Sequence, residues 1–256
     1  GNPEYAAILK KIEERHFNTL KDLVDVKHKS KCMVTVQLMF NDLADILQGV
    51  FLIKELSKRT LDLVMSFGER LSSYIISEAI KQKNIAAFYY LDARTLVSTD
   101  NNFGNAKVDF NYTNEQIKKY FKERKNNIQV VTGFIGSTAN NETTTLGRGG
   151  SDYTASIFGA ALGCKEIQIW TDVDGIMTAD PRSVKKAFSL PSITYTEAME
   201  LSHFGAKVIF PPTIQPAYSK NIPLRIKNTF NPSFAGTIVS EKSEPGKFLI
   251  KGISSI

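Results

Sequence analysis

The run Thr143-Thr-Thr-Leu-Gly147-Arg148-Gly149-Gly150-Ser151-Asp152 gathers the residues of this chain best suited to hold an anion. Three glycines around one arginine let the backbone approach a ligand without interference from Cβ atoms. A planar guanidinium grips a carboxylate or phosphate through two parallel hydrogen bonds. The loop runs into an apolar stretch that Ser151 or Asp152 is expected to open as a helix. The free N–H groups and positive dipole end of that helix would face whatever the glycines approach. Downstream lie Ile169-Trp-Thr171-Asp172-Val-Asp174-Gly175 and Asp180-Pro181-Arg182. Together the three segments read as a site for an anion and a nucleotide.

Such loops need a frame. Ile8, Leu9, Ile12, Phe17, Leu20, Leu23 and Val24 recur at helical spacing within residues 3–26, and Val34–Arg59 forms a second long periodic segment. A third helix is expected from Ser66-Phe-Gly-Glu69 through Ile76 and Ile80, so residues 1–83 read as mostly helical. Ala86–Leu91, Val108–Phe110 and Ile128–Thr132 read as strands, with a helix over Thr113–Lys125. The pattern then becomes strand, glycine loop, helix 151–162 closed by Gly163, strand Glu166–Trp170, loop. This is the βαβ grammar of a mostly parallel sheet covered on both faces, which binds ligands beyond the C-terminal ends of its strands. A helix over Thr196–His203, a proline-started helix after Pro211-Pro212, and strands Leu224–Asn228 and Thr237–Ser240 complete the frame. The expected fold class is α/β, a three-layer α/β/α sandwich with a mostly parallel central sheet. Residues 1–240 read as one domain. Residues 241–256 read as a linker, Glu241-Lys-Ser-Glu-Pro-Gly246, leading into a strand-like Phe248–Ile253.

Composition narrows the function classes. With 256 residues, 42% apolar and 23% charged, the chain can bury a sizeable core and is neither disordered nor fibrous. No apolar run is read as long enough to span a bilayer and no signal pattern opens the chain, so no membrane is expected and the cytoplasm is the default compartment. Cys32 and Cys164 stand apart, without metal-ligand spacing, and read as core thiols. The net charge of +6 raises the question of nucleic acid. The lysines at 27–31 and 118–125 lie beside helical segments with no aromatic ladder among them. No nucleic-acid partner is therefore expected.

The glycine run is not a Walker A loop, because no Gly-Lys-Ser/Thr follows at the required spacing. Nor is it a dinucleotide fingerprint, whose last glycine would fall on Asp152. A protein-kinase motif set is absent too, since His203-Phe-Gly205 is not Asp-Phe-Gly. Some positions keep two readings. Ser66-x-x-Glu69 fits a capping box as well as a ligand-binding acid, and Thr194-x-x-Glu197 is read as a cap. Asp152 is a helix-start acid or a site residue, Asp172 and Asp174 beside Gly175 make a good turn, and Lys207 fits a helix-end lysine.

Taken in order, Ser66-Phe-Gly-Glu69-Arg-Leu-Ser-Ser73, Gly133-Phe-Ile-Gly136, Thr143–Asp152, Tyr153-Thr-Ala, Trp170-Thr-Asp-Val-Asp-Gly175, Thr178-Ala-Asp-Pro-Arg182 and Phe204-Gly-Ala-Lys207-Val208 resemble the aspartate kinases of the amino-acid kinase superfamily. The resemblance runs from about Val64 to Val239. It implies ATP-dependent phosphorylation of the side-chain carboxylate of L-aspartate, the entry to lysine, threonine, methionine and isoleucine, with ATP and Mg2+ as cofactors and a homo-oligomeric parent. It also implies the roles. Arg148 would hold an aspartate carboxylate and Glu69 its ammonium, while Gly149, Gly150, Ser151 and Asp152 would line the substrate near the transferred phosphoryl. Thr171 and Asp172 would contact the nucleoside, Arg182 and Lys207 would neutralise ATP phosphates, and Asp180-Pro181 would hold the loop carrying Arg182. Asp152 and Lys207 are the implied catalytic pair, and no protein metal ligands are implied. The family's opening strand, Lys-Phe-Gly-Gly-Thr-Ser, has no counterpart here, which makes the chain read as a fragment lacking N-terminal strands. A noncatalytic nucleotide-binding or assembly module is the alternative. Met177 stands where many relatives carry tyrosine, and Val208-Ile-Phe-Pro-Pro212 replaces a common Val-Leu-His-Pro-Arg. Regulatory domains, and in some relatives a homoserine dehydrogenase, follow a strand like Phe248–Ile253.

Overall fold

The computed structural model describes residues 4–83, 87–124, 127–180, 183–203, 209–243 and 251–252. The chain divides into two compact units, Gly1–Gly147 and Arg148–Ile256.

The first unit opens with three helices, α1 (Glu4–Leu23), α2 (Val26–Ile53) and α3 (Lys58–Lys81). Their apolar stripes meet in one cluster built on Leu20, Val36, Phe40, Phe67, Leu71 and Ile75. α2 stops where Lys54 turns left-handed at φ 56° and its N–H reaches back to Val50 O. α3 begins at Lys58 rather than at Ser66, because Ser57 supplies the cap by accepting Thr60 N–H at 3.1 Å. α2 also corrects the membrane reading. It is the one helix among the described residues long and apolar enough, by length and composition, to cross a bilayer, although Cys32, Val36, Phe40 and Leu43 are buried in the cluster.

β1 (Ala87–Leu91) and β2 (Asn127–Val131) then pair in parallel, with α4 (Phe110–Lys122) in the crossover. Asp109 caps α4 by accepting Tyr112 N–H. Val108 therefore only bridges Thr99 instead of forming the expected strand. The sequence pattern leads from the strand Ile128–Thr132 straight to the glycine loop. The structure inserts an antiparallel hairpin there, β3 (Ile135–Ser137) with β4 (Thr143–Thr145). Strands of three residues carry too little periodicity to be read in advance.

The second unit contains α5 (Gly150–Leu162), β5 (Ile167–Thr171), β6 (Ser192–Thr194), α6 (Tyr195–His203), α7 (Pro211–Ser219), β7 (Leu224–Asn228) and β8 (Thr237–Ser240). Its sheet runs β5-β7-β8-β6, parallel for β5 with β7 and for β6 with β8, antiparallel for β7 with β8. Burial alternates along β5 and β8, and the inward set, Ile167, Ile169, Leu224, Ile226 and Val239, packs with Ile193, Tyr195 and Ile214. Tyr195 is 1% exposed, and its hydroxyl donates to Ile222 O at 2.7 Å, so the buried phenol is satisfied. The α/β class and mostly parallel pairing follow the sequence expectation.

Candidate functional site

Glu69 lies within α3, and its Oε2 accepts Gly133 N–H at 3.2 Å, which puts the carboxylate beside the turn that follows β2. The capping-box alternative fails. Ser66 is fully buried inside the helix and its hydroxyl donates back to Leu63 O at 2.7 Å.

At the end of β1 stands a cluster that sequence reasoning missed. Arg94 grips Asp92 through Nη2 at 2.6 Å to Oδ2 and Nε at 3.0 Å to Oδ1. Arg70, next to Glu69, places Nε 3.9 Å from the same carboxylate and stacks its guanidinium over Phe67. Two cations thus share one anion. Burial, with Arg94 nearby, lowers the Arg70 pKa, while burial and the Asp92 charge push the Tyr90 hydroxyl up to about 12. The available signal was Asp92-x-Arg94 directly after a strand, the edge where parallel sheets place their sites.

The three threonines before the glycine loop are all buried, and each hydroxyl has its own partner. Thr143 accepts from Arg94 Nη1 at 2.9 Å, Thr144 shares a 2.7 Å bond with Thr99, and Thr145 donates to Asp62 at 2.9 Å. This run anchors the loop and does not itself form an open ligand surface. Gly147, at φ 74°, ends the first unit with Asn105 Oδ1 2.8 Å from where a Cβ would stand.

In the second unit, α5 is opened by Gly149 rather than by Ser151 or Asp152. Gly149 is left-handed at φ 68° and caps the helix without a side chain. A Cβ on it would meet Phe210 Cβ at 2.7 Å, so both conformation and space require glycine. Gly150 is buried and receives the Thr154 hydroxyl at 2.8 Å. Ser151 is exposed on the first turn. Asp152 follows it, and burial raises its pKa with no charge partner contributing. Arg148 is exposed, with no hydrogen bond or ion pair among the described residues. That leaves its guanidinium available to a ligand.

The loop after β5 is held from beneath. Thr237 Oγ1 accepts Ile176 N–H at 2.9 Å and donates to Leu190 O at 2.6 Å, while Asp174 accepts from Asn228 and Asn231 at 2.9 and 3.2 Å. Asp174 is thereby a loop anchor, and Asp172 stays exposed and accepts the Thr171 hydroxyl at 3.2 Å. Asp180 is exposed, and its carbonyl accepts Ser183 and Val184 N–H. Arg182, Pro181 and Lys207 lie outside the described residues. Among the described residues no group of three or more His, Cys, Asp or Glu side chains is placed to hold a metal ion.

The profile of the Amino acid kinase family matches residues 4–228. The chain belongs to this family. Aspartokinase 1, chloroplastic, of Arabidopsis thaliana is 36% identical over 246 residues, covering 94% of this chain and 42% of that protein. The bifunctional aspartokinase/homoserine dehydrogenase 2, chloroplastic, of Zea mays is 36% identical over 239 residues, covering 93% and 26%. Among solved structures, E. coli aspartokinase III in complex with aspartate and ADP in its R-state superposes with TM-score 0.89 at 32% identity, covering 95% of this chain and 54% of that one. The chain therefore spans between about a quarter and about half of the length of these relatives.

The predicted residues fall on two separate units. Glu69 belongs to the first unit, while Arg148, Gly149, Gly150, Ser151, Asp152, Thr171, Asp172 and Asp180 belong to the second. The unit boundary cuts the glycine run itself, between Gly147 and Arg148.

Proposed function

We propose that this chain carries the ATP-dependent phosphorylation of the side-chain carboxylate of L-aspartate to aspartyl phosphate. The observation that carries the reading is its 0.89 TM-score to an aspartokinase solved with aspartate and ADP, combined with Arg148, which stands on a glycine loop and has no partner among the described residues. Phosphoryl transfer asks the protein for positioning and for cations around a spreading negative charge, with little covalent chemistry. Arg148 supplies a bidentate clamp for one carboxylate and Glu69 a counter-charge for the ammonium. The first-turn N–H groups of α5, with Ser151 and Asp152, border the acceptor. Thr171, Asp172 and Asp180 take the nucleotide, with Arg182 and Lys207 as phosphate cations. Mg2+ would be held mainly by the nucleotide's own phosphate oxygens and water, as suits a hard cation.

The test is hydroxylamine trapping of aspartyl phosphate, run on the full-length protein and on residues 1–256. Turnover with aspartate is expected, and Arg148→Ala should lower kcat/KM for aspartate by about a hundredfold, the worth of a charged bidentate contact of about 3 kcal/mol. Transfer to glutamate or carbamate in place of aspartate would overturn the substrate. No transfer by a folded full-length protein would leave a nucleotide-binding or assembly role.

A further inference from the structure

We infer that Asp62 is the positioning residue of the segment that leads into the anion loop, Thr145 to Gly147. This deepens the proposed function and rests on it. Asp62 sits in α3 with 1% of its surface exposed. Its Oδ2 accepts two backbone donors, Gly104 N–H and Thr145 N–H, each at 2.9 Å, and its Oδ1 accepts the Thr145 hydroxyl at 2.9 Å. One carboxylate therefore ties a helix to two segments distant in sequence. Among the described residues no lysine or arginine pairs with it. Burying a carboxylate without a cation is costly, and three good donors offset that cost only while their geometry holds.

Both tethered segments border the start of the anion loop. Thr145 is the last residue of β4, and only Leu146 and Gly147 separate it from Arg148. Leu146 N–H is fixed to Phe134 O at 2.8 Å, and Thr145 O receives Ala106 N–H at 2.9 Å. Gly104 O and Asn105 Oδ1 lie 3.2 and 2.8 Å from the missing Cβ of Gly147, so the segment held by Asp62 forms the wall against which the loop turns. Loss of Asp62 frees both the wall and the strand end at once. Thr145 to Gly147, which lead into the anion loop, would then have no fixed position.

The experiment compares Asp62→Ala, Asp62→Asn and Thr145→Val in the full-length protein. Asparagine keeps an oxygen for the two N–H groups, and its amide donates to the Thr145 hydroxyl, so all three contacts survive without the charge. For a catalytic group displaced by about an ångström, kcat/KM for aspartate should fall about a hundredfold in Asp62→Ala, with KM for ATP within about threefold of wild type. Asp62→Asn should stay within about fivefold of wild type, because its contacts are retained. Wild-type aspartate kinetics in Asp62→Ala, or an equal loss for aspartate and ATP, or no rescue by asparagine, would each overturn the inference. Should Asp62→Ala fail to fold, Thr145→Val decides, with about a tenfold rise in KM for aspartate expected from one lost charged hydrogen bond and an unchanged value refuting it. If wild type transfers nothing to aspartate, the proposed function fails by itself. Amide exchange then decides for Asp62: acceleration in Thr145→Val confined to residues 143–149 supports it, and unchanged exchange overturns it.

Discussion

Asp152 is held in the first turn of α5 with its carboxyl pushed above the ordinary value by burial and no compensating cation. A raised pKa in the folded state means that the unfolded chain gives up this proton first. The stability present below the unfolded value is therefore lost as pH rises towards the folded one. Asp152→Asn should accordingly melt at a higher temperature than wild type at pH 7, with the gap closing by about pH 3, where both forms are neutral. A larger gap at pH 3 than at pH 7 would exclude the argument. The same substitution should remove activity if Asp152 works beside the transferred phosphoryl, a stability cost accepted at a functional position. Arg148 was legible in the sequence because an arginine among glycines has nothing local to pack on. Asp62 was not legible, since a helical aspartate with apolar neighbours reads as a surface acid until the partner loop is placed over it.

At the scale of the element, α6 grows directly out of β6, and the junction is closed by a reciprocal cap. Glu197 N–H donates to Thr194 Oγ1 at 3.2 Å, and Thr194 N–H to Glu197 Oε2 at 2.7 Å. Burial works against the Glu197 charge, but the Thr194 donors and Lys251 at 2.9 Å outweigh it and hold the carboxyl below its ordinary value. Its contribution is thus present above the unfolded pKa and lost as pH falls through the folded one. Thr194→Ala should cost about 1 kcal/mol in denaturant unfolding at pH 7, as N-cap removals do, and less below pH 4. An undiminished cost in acid would show that the charge plays no part. This cap was predictable, whereas Ser66-x-x-Glu69 has the same pattern and is no cap at all. Pattern alone cannot separate them, because the deciding fact is whether the helix has already started at Ser57.

At the scale of the whole molecule, each unit closes a hydrophobic core of its own. One is built on α1 to α3 and the other on the β5-β7-β8-β6 sheet with α5 to α7. Phe40→Ala should cost about 3–5 kcal/mol and Ile193→Ala about 2–5 kcal/mol, as cavity-forming substitutions in tight cores do. Native-state hydrogen exchange is the stronger measurement. Phe40→Ala should accelerate exchange in α1 to α3 and leave β5 and β7 near wild type, and Ile193→Ala the reverse. Uniform acceleration across both units would show one cooperative core instead of two.

Composition, periodicity and turn chemistry by themselves determined the α/β class, the three opening helices and the five-residue strands. These signals are local, because a period of two or of 3.6 and a glycine at a forced turn are written in adjacent residues. Only the tertiary structure decided that Gly149 rather than Ser151 or Asp152 caps α5, that Thr143 to Thr145 are anchors, that Asp174 braces the loop carrying Asp172, and that Asp92, Arg94 and Arg70 form one cluster. Each of those outcomes depends on a partner tens of residues away. Chain topology brings such pairs within hydrogen-bond reach, and no spacing in the sequence records it.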